Sequence, residues 1–288
     1  MNLHSPTSRL TAALTCAAIL VVAAISSCSR EPKAFMLRNL YGPPGKSATY
    51  KLTSHRVGTV TVDSNPAEAL DSKMDGTIIY TAIDTLPEGA GIVKEEDRWA
   101  WDEKSADSGK TVHQTKDYAY TLKYAANGKV LDFQIIGGST VGWTSYARNF
   151  YEQGTSVFPD QAITIGYSWT QTIPVTLADG KTDTATTVYR VKGVAQKIGY
   201  NCAIIEYRGN LILPIMLDPA DSMATQGIDR IEMNGLLYFA IKEGTAVSSD
   251  ERRRLNSQRS SIKAGKLVNR KVEAEDDISY SMEGMTGK

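Results

Sequence analysis

The chain has 288 residues, with 32 Lys and Arg balanced by 32 Asp and Glu, and 42% of its residues are hydrophobic. This balance leaves no net field to draw in nucleic acid or an acidic surface, so neither partner is expected. The apolar share is that of a globular protein, and tyrosine is plentiful, at 14 residues.

In chain order the first feature is an uncharged run, Leu10 to Ile25, with Arg9 before it and Ser26-Ser27-Cys28 after it. A basic start, an apolar stretch and closing small residues are the layout of a secretory signal. A membrane span needs about 20 apolar residues, so the run is short for an anchor. Ile25-Ser26-Ser27-Cys28 resembles the lipobox of bacterial lipoprotein signal peptides, with Ile25 where Leu is commoner. The resemblance implies that residues 1–27 are removed and that Cys28 becomes the acylated first residue. Each buried methylene of an acyl chain contributes about 0.8 kcal/mol, so several chains hold a protein on a membrane where a single one is marginal. Ser29 in place of Asp implies a lipid-anchored protein of the cell envelope, on the outer membrane and facing the periplasm.

About 260 residues remain, enough for one large β domain or two smaller ones. Residues 28–46 are expected as acylated cysteine and tether, closed by Gly42-Pro43-Pro44-Gly45, where proline favours extended chain. Residues 47–288 are expected as one β-rich domain. Strand order and turn placement suggest two pseudo-repeats, 47–140 and 162–250, followed by a terminal hairpin. Pro66 to Met74 is a short helix candidate, with Pro66 suited to a first turn. Asn127-Gly128, Asp179-Gly180 and Asn234-Gly235 lie between strand-like runs and supply the positive φ of tight hairpins, with Glu243-Gly244 a weaker case. Thr144 to Gln153 has helical spacing, with Tyr146, Ala147 and Phe150 on one face and Gly154 as the stop. Cys202 sits in the apolar run Tyr200 to Tyr207 and reads as a small buried hydrophobe. With Cys28 acylated it has no partner for an internal disulfide.

Near the C-terminus a basic run, Arg252-Arg253-Arg254, precedes an acidic one, Glu275-Asp276-Asp277. A turn at Ala264-Gly265 sets Arg252 against Asp277, Arg253 against Asp276 and Arg254 against Glu275. Opposite charges across antiparallel strands contribute roughly 0.2–1 kcal/mol a pair. Val272, Ala274, Ile278, Tyr280 and Met282 share one phase of alternation with Asp276, which fits a half-buried last strand.

Large aromatics gather in the first half. Trp99 and Trp101 share one strand face and Tyr118 and Tyr120 another, while Trp143, Tyr146, Phe150 and Tyr151 lie on or beside the helix. They form either a core where a helix packs on a curved sheet, or the wall of an apolar cavity. On the second reading Trp99, Trp101, Tyr120, Trp143 and Phe150 are the candidate ligand-binding residues. Catalytic signatures are poor. His55 and His113 fall in no zinc-ligand spacing, and Gly166-Tyr-Ser168-Trp-Thr170 lacks the closing glycine of a nucleophile elbow. Gly137 to Gly142 lacks the Lys-Ser/Thr ending of a phosphate loop. Glu95-Glu96 and Asp102-Glu103 are adjacent, so on a strand each pair points to opposite faces. No enzyme activity, metal or cofactor is expected.

Tethered start, consecutive hairpins and a mid-chain helix together resemble exported lipoproteins with the open half-barrel of lipoprotein-localisation carriers. The resemblance implies a mainly β fold, in which a curved antiparallel sheet with one or two short helices encloses an apolar cavity. A paired β-sandwich is the alternative. Two roles follow from these readings, ahead of a third, an envelope hydrolase, which the poor catalytic signatures place last. One is a membrane-tethered protein that binds an apolar or amphipathic molecule, such as a lipid, in the concavity. The other is a structural lipoprotein that docks an envelope protein.

Overall fold

A computed structural model describes residues 33–104, 111–138, 144–216, 225–263 and 265–286. The expected signal (residues 1–27), Cys28 and Trp143 lie outside the described residues. The compact body is Phe35–Lys288. Its strands are β1 (Ser47–Val62), β2 (Glu68–Thr85), β3 (Gly91–Lys104), β4 (Thr111–Tyr124), β5 (Val130–Gly138), β6 (Ser168–Thr176), β7 (Thr182–Lys197), β8 (Tyr200–Ile215), β9 (Gln226–Ala240), β10 (Thr245–Lys263) and β11 (Lys266–Thr286). Among the described residues one α-helix, α1 (Thr144–Gly154), lies between β5 and β6, and a 3₁₀ turn, Pro87–Gly89, precedes β3. All the strands join one antiparallel sheet in the order β5-β4-β3-β2-β1-β11-β10-β9-β8-β7-β6, open at β5 and β6. The paired sandwich is therefore replaced by one sheet.

The sheet must curl, because α1 touches strands far apart in it. Arg148 on α1 donates to the Phe133 carbonyl of β5 at 3.0 Å, while Gln153 exchanges two hydrogen bonds with the Ile212 backbone of β8, at 2.7 and 2.8 Å. β5 and β8 are eight places apart in the sheet. In a flat sheet that is roughly 38 Å at about 4.8 Å per strand, whereas an 11-residue helix is about 16 Å long. Bulges in β7, β10 and β11 add local twist. Side chains of one alternation phase point into the curl. Tyr189, Ile205, Leu211, Met233, Leu255 and Val272, from five strands, belong to one buried cluster. Gln153 also repairs a splay in the sheet. The pairing of β7 with β8 ends at Thr187–Gly209, and the amide of Gln153 takes over the vacant backbone groups further along β8.

Asn127-Gly128, Asp179-Gly180 and Glu243-Gly244 fall in tight turns, and each glycine has positive φ. Asn234-Gly235 does not. It lies inside β9, opposite Arg208 and Tyr207 of β8. Glycine is required there for space, since a Cβ would stand 2.6 Å from the Tyr207 hydroxyl and 2.6 Å from the Asp250 carbonyl. The helix expected from Pro66 to Met74 is also corrected, because β2 starts at Glu68 and runs through it. Pairing of Glu68 to Met74 with Val60 to Ser54 of β1 overrides the local signal from Pro66.

The terminal hairpin adopts the expected register, with Arg252, Arg253 and Arg254 opposite Asp277, Asp276 and Glu275. Arg252 and Arg254 pair with their opposite carboxylates on the exposed face, at 2.9 and 3.1 Å. Arg253 does not. Its guanidinium pairs with Glu251, and Asp276 instead accepts two bonds of 2.7 Å from Arg56 of β1. On the inward face Asp276 has a neighbour on either side, and the bidentate fork of Arg56 wins.

Candidate functional site

The tether expected to end at residue 46 belongs to the body from Phe35 onward. Phe35 pairs with Ile163, Leu37 is 1% exposed in the main core, and Tyr41 stacks on Tyr124 at 5.6 Å. The strap then crosses the ends of several strands. Asn39 N donates to the Ala126 carbonyl, Leu40 N to Gly244 and Gly45 N to Ala82, each at 2.8 Å. Gly244 has a second constraint besides its φ of 63°, since a Cβ there would stand 2.5 Å from the Arg38 carbonyl of the strap.

Beneath this strap, between α1 and the inner face of the sheet, lies a cavity of about 390 Å³. Leu40, Tyr41 and Lys46 line it from the strap, and Phe150 and Tyr151 from the helix. Tyr50, Tyr80 and Tyr280 line it from β1, β2 and β11, and Tyr189, Tyr207 and Phe239 from β7 to β9. Tyr50 stacks on Tyr280 at 4.5 Å and meets Tyr80 edge-on at 5.5 Å. Burial raises the hydroxyl pKa of Tyr189 to about 12, and those of Tyr41, Tyr50 and Tyr207 also rise, so these groups stay neutral. The wall is thus aromatic carbon carrying neutral hydroxyls, which suits an amphipathic molecule. Lys46 and Glu243 add charge at the lining, and one ion pair belongs to it. Glu251 accepts from Tyr207 at 2.5 Å and pairs with Arg253, whose guanidinium lies 5.7 Å from the Phe150 ring centre.

Two further polar sites face the inside of the curl. Tyr146 of α1 donates to Asp229 at 2.9 Å, and Asp229 also pairs with Arg259, which fastens the helix to β9 and β10. The other is Glu95 and Asp97 of β3, 2% and 5% exposed. Tyr151 donates to Glu95 Oε1 at 2.5 Å, while Glu95 Oε2 and Asp97 Oδ1 have no hydrogen-bond partner. Desolvation dominates both carboxyls. It lifts Asp97 to about 6 and, helped by the Asp97 charge, holds Glu95 well above the usual carboxylate range.

Of the five ligand-binding candidates, Phe150 lines the cavity. Tyr120 is buried in a cluster with Phe133 and Tyr151, at centroid distances of 5.4 and 5.5 Å. Trp99 packs against Gly76 and the cluster of Tyr50, Ile78 and Met282. Trp101 is half-buried, with the Lys116 amine 5.8 Å from its ring centre. The tyrosine wall escaped the sequence reading because its members come from strands distant in the chain. Glu95 and Asp97 were legible in part, since residues two apart on a strand share a face, and these two share theirs with Trp99 and Trp101.

His55 pairs with Asp71 at 2.8 Å and His113 with Asp102 at 3.0 Å, all on the surface. Glu96 points outward to Lys94 at 3.0 Å. Ser168 is an exposed first residue of β6. Cys202 is fully buried, and burial pushes its thiol pKa up. Among the described residues no three His, Cys, Asp or Glu gather as a metal-ligand set, and no helix is long and apolar enough to cross a membrane. No protein-family model matches the chain, and no curated protein matches it in sequence.

Proposed function

We propose that this chain is a non-catalytic, membrane-tethered lipoprotein of the cell envelope that holds an apolar or amphipathic molecule in the cavity beneath α1. The observation that carries this reading is the cavity itself, with its aromatic wall and neutral hydroxyls, and with charge confined to Lys46, Glu243 and the Glu251–Arg253 pair among its described lining. Its 390 Å³ falls within the roughly 300–1,000 Å³ of small-molecule sites. Acyl chains on Cys28 anchor the protein on the outer membrane, with the body in the periplasm, and the ligand is a lipid or a similarly apolar small molecule.

The anchor is tested at the thiol. In the Cys28→Ala variant, labelling by a fatty-acid probe should vanish, because the thioether has no sulfur to form on, and the unprocessed precursor should accumulate. Labelling equal to that of the parent would remove the assignment.

The cavity is tested with a fluorescent fatty acid and by mass spectrometry of co-purified lipid. Phe150→Ala enlarges an existing space instead of emptying a packed one. It should therefore cost well under the 3–5 kcal/mol typical of a buried phenylalanine, while weakening probe binding about tenfold, equivalent to about 1.4 kcal/mol. If neither the intact protein nor its extracts show an apolar ligand, the structural role, docking an envelope protein, replaces this one.

A further inference from the structure

The acid pair on β3 has surroundings that a structural role does not explain. Glu95 and Asp97 point into the curl from a strand whose preceding inward residue, Val93, lines the cavity. Register places Glu95 between Tyr80 of β2 and Tyr120 of β4, with Tyr151 of α1 over it, and Asp97 beside Tyr118. Tyr80 and Tyr151 line the same cavity, so the pair lies directly behind its wall.

Among the described residues no lysine, arginine or histidine forms an ion pair with either carboxylate. Every other deeply buried acid on the inner face has an arginine: Asp229 has Arg259 and Asp276 has Arg56. Buried carboxylates without a cation are costly, and an oxygen without a donor adds to that cost. Here two such oxygens remain: Glu95 Oε2, with Tyr80 and Tyr120 on the neighbouring strands, and Asp97 Oδ1, beside Tyr118, even though Tyr80 interacts with the Glu95 carboxyl and Trp99 with that of Asp97. A proton held between them satisfies the pair in the unliganded protein. An ammonium group satisfies it more fully, because it brings three N–H donors and a positive charge, and the tyrosine faces attract that charge through their π-electrons.

We propose that Glu95 and Asp97, with Tyr80, Tyr120 and Tyr151, form the recognition site for a primary ammonium head group on the amphipathic molecule held in the cavity. The proposal rests on the carrier reading above and narrows it to amine-bearing amphiphiles. On binding, the ammonium displaces the Tyr151 hydroxyl from Glu95 and the one shared proton leaves to solvent, so that both carboxylates are ionised once the cation is in place.

Titration calorimetry on the full-length protein at pH 7 tests this, with dodecylamine and dodecanoate below their micelle concentrations and dodecanol below its solubility limit. Dodecylamine should bind at least tenfold more tightly than either other probe, and should release about one proton per molecule bound, read from the difference between two buffers of unlike ionisation enthalpy. In the Glu95→Gln/Asp97→Asn double variant the preference and the proton release should both disappear, with dodecanol binding unchanged. Equal binding of all three probes by the parent would overturn the ammonium site and leave the carrier reading intact. Binding of none would overturn the carrier reading and the site with it. An amine preference that survives in the double variant would place recognition elsewhere in the cavity and overturn the assignment to this pair.

Discussion

Phe133→Ala is expected to lower the unfolding free energy by about 3–5 kcal/mol. Phe133 is 2% exposed and sits where β5 meets the helix, with the rings of Tyr120 and Tyr151 at 5.4 and 5.2 Å. It does not line the cavity, so its truncation empties a packed volume. The void would lie against Tyr151, whose hydroxyl is the donor to Glu95, so the seat of α1 should loosen as well. Chemical denaturation should show a lower midpoint with an unchanged slope. A loss below about 1 kcal/mol would mean that the seam between β5 and α1 is not close-packed. Set beside Phe150→Ala, the variant separates the two settings of the aromatic residues. The same deletion is costly in the packed seam and mild at the cavity wall.

The second large effect is a dependence of stability on pH. Both carboxyls of the β3 pair have raised pKa values in the folded protein, chiefly through desolvation, with Asp97 at about 6. A raised carboxyl pKa means that the folded state binds more protons than the unfolded one. Its contribution is therefore fully present below an unfolded pKa of about 4, and is lost as pH rises through the folded value. Asp97 thus loses its contribution between about pH 4 and pH 6, and Glu95 loses its own at higher pH. Glu95→Gln/Asp97→Asn mimics the protonated pair without the titration. The new amide of residue 95 still accepts from Tyr151 and now donates toward residue 97. The variant should match the parent in stability near pH 4 and exceed it by about 2–3 kcal/mol at pH 8. Thermal or urea unfolding at both pH values measures the difference. A variant less stable than the parent at pH 8 would mean that the pair is ionised and stabilising in the folded protein.

Several features were legible because their causes are local. The β class follows from alternation, and the turns at Gly128, Gly180 and Gly244 follow from residues that tolerate positive φ. The span of α1 follows from the spacing of Tyr146, Ala147 and Phe150. The register of the last hairpin follows from two opposite charge runs that a single turn can superpose. The errors arose where a local signal met a distant neighbour. Pro66 favours a helical first turn, but the strand ladder with β1 claims the residues behind it. Asn234-Gly235 has the composition of a turn, but its glycine serves to admit Tyr207. Arg253 faces Asp276 as expected, yet Arg56, more than 200 positions away in the chain, takes that carboxylate.

By itself, then, the sequence determined the strands, most of the turns, the helix and the pairing of the last hairpin, since each depends on residues close together in the chain. Tertiary structure decided what they enclose. β1 lies against β11, and their contact joins the two runs of hairpins into one sheet. Curling of that sheet sets Tyr50, Tyr189 and Tyr280 around a common space, and the strap from Phe35 to Lys46 covers it. The same curl buries Glu95 and Asp97 behind the wall, where an acidic stretch becomes a pair of carboxyls with no ion-paired cation among the described residues. Alternation specifies the face toward which a side chain points. Whether that face meets packed atoms or open space depends on the curvature of the whole sheet, which no short segment encodes.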